Sequence, residues 1–266
     1  MEKRSRKRGI HFHETGGRDQ CQCDIECSEP ALQGEAFCEI HMDKCHRTSP
    51  LTGSEPEFEP NRWNFNRPFR ETHNCFAYAM NIFDKKQIEK CRTKKKCDAS
   101  FHQPGFASGY SGFSNDSPKT CPNMMARMFG DNPYITMADY TSQCPKGTSK
   151  VALIVDESDD YHFVRQDDTG YWSHKPGARK VTTIDARGHK IWDPKLANYN
   201  YSKNGNSSLN YDIFCSYMCV PRGVPLYLKA KGGGRSLKGW RIGASPSVST
   251  KPFRTKKTRR HYRGRT

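Results

Sequence analysis

The sequence is poor in aliphatic residues and has no long apolar run. Of its 266 residues only 34% are hydrophobic, and the mean hydropathy is −0.93. No stretch approaches the roughly 20 apolar residues of a membrane-spanning helix, so no membrane span is expected. The opening MEKRSRKRGIHFHE lacks an apolar core, so no secretory signal is expected there either. No internal repeat is present. Acid is missing from residues 229–266, which hold 13 Lys/Arg and no Asp or Glu. Without a signal or a span, the expected setting is the reducing cytoplasm or nucleus. In such a setting twelve cysteines are expected as thiols or metal ligands, not as a disulfide framework.

Charge sits at the two ends. The formal net charge is +16, from 44 Lys+Arg and 28 Asp+Glu. Residues 1–9 hold five Lys/Arg and one Glu, so removing both ends leaves 26 basic against 27 acidic residues. Such ends attract polyanions, mainly nucleic acid or anionic membrane, by counterion release. Phe253 and Tyr262, set among the basic residues of KPFRTKKTRRHYRGRT, suit base stacking as well. The same run suits a nuclear-localisation signal.

Composition divides the chain into five parts. Residues 1–20 form a basic flexible N-terminus, 21–45 a cysteine-rich module, and 46–70 a proline-bearing linker or wrapping segment. Residues 71–228 hold most aliphatic and aromatic residues and form the core domain. Residues 229–266 form a low-complexity basic tail that opens on three glycines. Within the core, Asn74 caps a helix running through Phe83 toward Lys90. Residues 91–123 read as loops, and 123–129 as a second helix. Val151–Val155, Tyr161–Arg165 and Tyr171–His174 read as strands of an antiparallel meander. Ile191–Trp192 and Phe214–Tyr227 offer further strands. The fold class is therefore α+β.

Cys75 follows the cap Asn74, in the first helical turn, where free N–H groups and the helix dipole favour a thiolate. Taken alone it reads more readily as a buried thiol among Phe76, Tyr78 and Met80. With QDDTG as the hairpin loop, Arg165 faces Tyr171 and His162 pairs directly with His174. The two imidazoles then share one face, where one can serve as base and the other can orient it. A slip of one residue would separate them.

The stretches HNCFAYAM, DDYHFVR and GYWSHKPG, in that order, resemble papain-fold cysteine hydrolases of the NlpC/P60-like kind. WSHKPG followed by ARGHKIWDP is similar to uncharacterised bacterial and large-DNA-virus proteins. The resemblance spans about residues 71–195. It implies a papain-like fold, with a helix bearing the cysteine packed on an antiparallel sheet. It also implies Cys75 as nucleophile, His162 as general base and His174 as orienter. Asp185 and Asp193 are alternative orienters, although both read as turn or cap acids. The reaction implied is thiolate acyl transfer on a peptide, isopeptide or other amide or ester. The Cys75 N–H would be the oxyanion donor, assisted by Asn74 or His73. The lysine- and cysteine-rich insertion at 91–123 departs from the compact members of that family.

The segment CQCDIECSEPALQGEAFCEIH is too short for its own apolar core and rich in N/S ligands, which suggests structural zinc. The preferred set is Cys23, Cys27, Cys38 and His41, with Cys21 and Cys45 as substitutes. Its GEAFCEIH stretch resembles the GxxFCxxH core of small C…C…C-x2-H modules. Cys91 with Cys97, or Cys215 with Cys219, offers weaker spacing for a second site. Two functions follow. One is a cysteine hydrolase tethered to nucleic acid by its tail. The other is a non-catalytic nucleic-acid-associated or virion protein that uses an inactive hydrolase fold as scaffold.

Overall fold

The computed structural model describes residues 13–14, 19–94, 97, 101–113, 118–202 and 208–223. The basic stretches 1–9 and 229–266 lie outside them. The described residues form a mixed α+β structure around one antiparallel sheet. Its strands are β1 (His13–Glu14), β2 (Thr136–Ala138), β3 (Thr148–Val155), β4 (Tyr161–Gln166), β5 (Trp172–His174) and β6 (Ile213–Pro221). The order is β1-β6-β3-β4-β5, and β2 also pairs with β6. The helices are α1 (Pro60–Asn64), α2 (Arg67–Thr72), α3 (Cys75–Ala79), α4 (Lys85–Arg92) and α5 (Cys121–Asp131).

The second part of β3, Val151–Val155, is a run of Val, Ala, Leu and Ile because both of its faces are covered, so no solvent face imposes alternation. Successive side chains point to opposite sides. Val151, Leu153 and Val155 join Tyr161, Phe163 and Met218 beneath Phe76, Met124 and Met128 of the helices. Ala152 and Ile154 join Val164, Trp172, Phe214 and Tyr217 beneath Tyr199, Tyr211 and Ile191. The second layer is mostly coil, rich in tyrosine.

The ladder between β3 and β6 shifts register between Leu153 and Ile154: Leu153 faces Ser216, whereas Ile154 faces Phe214. Cys215 is thus an extra residue, a bulge in β6. The bulge turns Cys215 toward the helices, where it forms a disulfide with Cys121 at the start of α5.

The helix expected from Asn74 toward Lys90 is two helices. Asn74 caps α3, its side chain accepting from the Ala77 N–H at 3.0 Å. The chain turns at Asn81, whose φ of 56° is left-handed, a conformation asparagine tolerates. Asp84 then caps α4 by accepting from the Lys86 and Gln87 N–H groups. The expected 123–129 helix is longer, Cys121–Asp131, with Thr120 as cap and Pro122 in its first turn. Ile191 makes only a single bridge to Trp172.

Residues 46–70 wrap the core rather than hang loose. Thr52 Oγ1 donates to the Thr148 carbonyl at 2.7 Å, Gln166 donates to the Ser49 carbonyl at 2.8 Å, and Trp63 is fully buried against Phe83.

The expectation of unpaired cysteines is overturned. Four disulfides join Cys23 to Cys45, Cys91 to Cys97, Cys121 to Cys215, and Cys144 to Cys219. Long-range pairs such as 121–215 are set by the tertiary fold, so local spacing does not announce them. The weaker second metal site is overturned with it, because Cys91, Cys97, Cys215 and Cys219 are all taken.

Candidate functional site

The cysteine-rich module is folded by a few main-chain bonds and its sulfurs. Gln20 bridges Pro30, and the Cys21 N–H donates to the Glu29 carbonyl at 3.0 Å. Gly34, at φ +80°, makes the turn that returns the chain to Phe37, whose carbonyl accepts from the Leu32 N–H at 2.8 Å. A single 3-10 turn over Glu39–His41 then brings His41 back over Cys38.

Cys21, Cys27, Cys38 and His41 converge, with ligand atoms all within 4.8 Å of one another. His41 Nδ1 lies 3.3 Å from Cys38 Sγ and 3.4 Å from Cys21 Sγ, and Cys27 Sγ lies 4.0 Å from Cys38 Sγ. A tetrahedral zinc site has S···S edges of about 3.8 Å and S···N edges of about 3.6 Å. The cluster is therefore close to the size and chemistry of such a site. Burial first, and then the neighbouring Cys38 and Cys21, push the Cys27 thiol up to about 11, although the Glu29 N–H pulls it down. Three thiols this close need a cation before they can all ionise.

The preferred ligand set is corrected at one position: Cys21, not Cys23, faces His41. Cys21 and Cys23 flank Gln22, whose side chain points into the core, so both sulfurs turn inward to the module. Cys45 claims Cys23 as a disulfide, with a Cα–Cα distance of 5.4 Å.

Gln22 fixes the module to the core. Its amide nitrogen donates to the Lys190 carbonyl at 2.9 Å, and its oxygen accepts from the Trp192 and Asp193 N–H groups at 2.7 and 2.9 Å. Phe37 meets the Trp192 ring edge-on at 5.4 Å, and Trp192 Nε1 donates to the Arg47 carbonyl. Asp193, one alternative orienter, is a buried counter-ion that accepts from Arg47 and from the Tyr217 hydroxyl. Asp185, the other, accepts N–H bonds from Arg187, His189 and Asn198, as a turn acid does. Sequence reasoning overlooked Gln22, Arg47 and Trp192 as docking residues. The only signal was a glutamine sealed between two cysteines.

The structure does not bring Cys75 and His162 together. Cys75 opens α3 as expected, but it is buried among Phe76, Tyr161 and Phe163, with Sγ 3.9 Å from the Tyr161 carbonyl. Burial pushes its thiol up to about 12, against the thiolate. His162 sits between Tyr161 and Phe163 in β4 and therefore points to the opposite face, beside Tyr211, Tyr199 and His174. The expected dyad is divided by the sheet.

His162 and His174 do share a face. His174 Nε2 donates to the Ile184 carbonyl at 2.9 Å, so its Nδ1 accepts from His162 Nε2 at 2.7 Å. The register differs from the expected one: His174 faces Val164, two positions from His162. A shift of two preserves the face, and the imidazoles meet diagonally. Burial lowers both, His174 to about 4 and His162 well below its usual value, so this is a neutral pair. The adjacent Lys175 is enclosed. Its Nζ donates to the carbonyls of Arg70, His73 and Gly177, tying the end of α2 to the coil that follows β5.

No family model and no solved structure matches the chain. A stretch of 140 residues is 32% identical to insoluble matrix shell protein 1 of Ruditapes philippinarum, covering 53% of this chain and 79% of that protein. At that identity and coverage, the chain belongs to the family of insoluble matrix shell protein 1.

Proposed function

We propose that the chain is a non-catalytic structural protein of an insoluble matrix. In this reading it is a disulfide-braced unit with a metal-stapled module, held to polyanionic polymer by its basic ends. One observation carries it: eight cysteines are spent on disulfides, two of which close 94 and 75 residues of chain. Cross-links of that reach suit a protein that must keep its shape in an oxidising compartment, and not the cytoplasm or nucleus. The name of the shell-matrix relative points the same way. In the module, Cys21, Cys27, Cys38 and His41 would hold a zinc-class cation, which would neutralise the thiolates and fix the fold of the segment. Nucleic acid is one polyanion that the +16 chain would bind, and an acidic matrix polymer is another.

The cysteine-hydrolase reading has no comparable support, because its thiol and imidazole lie on opposite faces of the sheet.

Peptide mapping of the native protein under non-reducing conditions tests the proposal. The expected outcome is Cys121 linked to Cys215, Cys144 linked to Cys219, and Cys21, Cys27, Cys38 and Cys75 unlinked, with about one zinc retained per chain. Free thiols at 121, 144, 215 and 219 in correctly folded native material would overturn it.

A further inference from the structure

The module holds two kinds of sulfur chemistry side by side. Cys23 and Cys45 are already joined, whereas Cys27 and Cys38 keep their sulfurs 4.0 Å apart. That separation suits two ligands of one cation. It is also close enough for the sulfurs to join after a small movement of either side chain. Cys38 is enclosed, but Cys27 is half-buried at the module surface, in a turn closed by its own N–H to the Asp24 carbonyl. A reagent in solution can therefore reach Cys27. Cys21 is less available, because it is fully buried and its sulfur lies against His41 Nδ1.

We propose that Cys27 and Cys38 form a redox latch on the metal site, in which a small-molecule disulfide of the glutathione class expels the cation by closing a fifth disulfide. The proposal rests on the metal-site reading given above. The step balances as two thiol–disulfide exchanges. The Cys27 thiolate attacks one sulfur of the oxidant, whose S–S bond breaks and releases one glutathione thiolate. Cys38 then attacks the Cys27 sulfur, forms the Cys27–Cys38 bond and expels the second glutathione thiolate. Two electrons pass from the protein to the oxidant. The divalent cation leaves with its charge unchanged, because Cys21 and His41 alone offer only two ligands.

The test uses the full chain with its four disulfides intact, loaded with zinc(II) and exposed to oxidised glutathione. Released zinc is read with a chromogenic chelator, and cysteine linkage by peptide mapping. The expected result is release of about one zinc per chain in step with a Cys27–Cys38 link, slowed about tenfold or more in Cys27→Ser. If that variant fails to fold or to load zinc, the wild-type mapping decides alone. Release with Cys27 and Cys38 unlinked, or a link formed while zinc stays bound, would overturn the latch and leave the metal site standing. A chain that takes up no zinc even with its thiols kept reduced would overturn both.

Discussion

At the scale of single residues, the sheet decides what each side chain can do. Cys75 has the helix position that often makes a thiol reactive, but its surroundings are apolar and enclosed, and desolvation outweighs the dipole. In metal-free chain at pH 7, an iodoacetamide-type probe should therefore label Cys27 at least about tenfold faster than Cys75. Preferential labelling of Cys75, abolished by His162→Ala, would restore the hydrolase. Lys175 is a test of a different kind. Its three carbonyl acceptors would be stranded by Lys175→Met, which should cost about 3 kcal/mol in urea unfolding. A cost under about 1 kcal/mol would show that water reaches those carbonyls. The shared face of His162 and His174 was legible in the sequence, because alternation along a strand survives a two-residue error in register. Which face that was, relative to Cys75, was not legible. It depends on which side of the sheet α3 packs, and nothing local to either motif records that. The same limit applies to Cys21 and Cys23: two residues apart, they point the same way, and a distant partner, Cys45, separates their roles.

At the scale of elements, caps and composition carried most of the information. Asn74 and the strands at 151–155 and 161–165 lie where the sequence places them, within a few residues. The break between α3 and α4 was harder to foresee. It is made by one left-handed asparagine and a capping aspartate, Asn81 and Asp84, both of which also occur inside or at the ends of helices. The bulge at Cys215 leaves no pattern of its own, since it is created by pairing with β3. Its consequence is measurable. Replacing Cys121 and Cys215 together by serine removes the tie between α5 and β6 and should cost about 2–4 kcal/mol. The check is the denaturation midpoint under non-reducing conditions, and an unchanged midpoint would mean that packing alone seats α5.

At the scale of the whole molecule, buried histidines set the response to acid. His73 and His174 are lowered to about 4, and His162 well below its usual value, chiefly by burial. Each is neutral in the folded chain, whereas in the unfolded chain it takes up a proton near pH 6.5. Between about 6.5 and 4 the unfolded state therefore binds more protons, and stability falls as pH falls. Asp167 opposes this: burial raises it to about 6, so its contribution fades as pH rises from about 4 to 6. Burial also raises Asp131, Asp160 and Asp185, which act in the same sense as Asp167 but with smaller shifts. The histidine shifts are the larger ones, and urea midpoints should drop on acidification from pH 7 to 4. A flat profile would sink this account.

The placement of the disulfides on β6 has a mechanical meaning. A pull applied from beyond Pro221 enters the fold along β6 and meets Cys219 and Cys215 within that one strand. Each is covalently bound elsewhere, to Cys144 and Cys121. The strand cannot be unzipped rung by rung from its neighbours. Tension would pass through sulfur to two other parts of the chain before hydrogen bonds farther along the sheet bore it, as it does through a riveted strap.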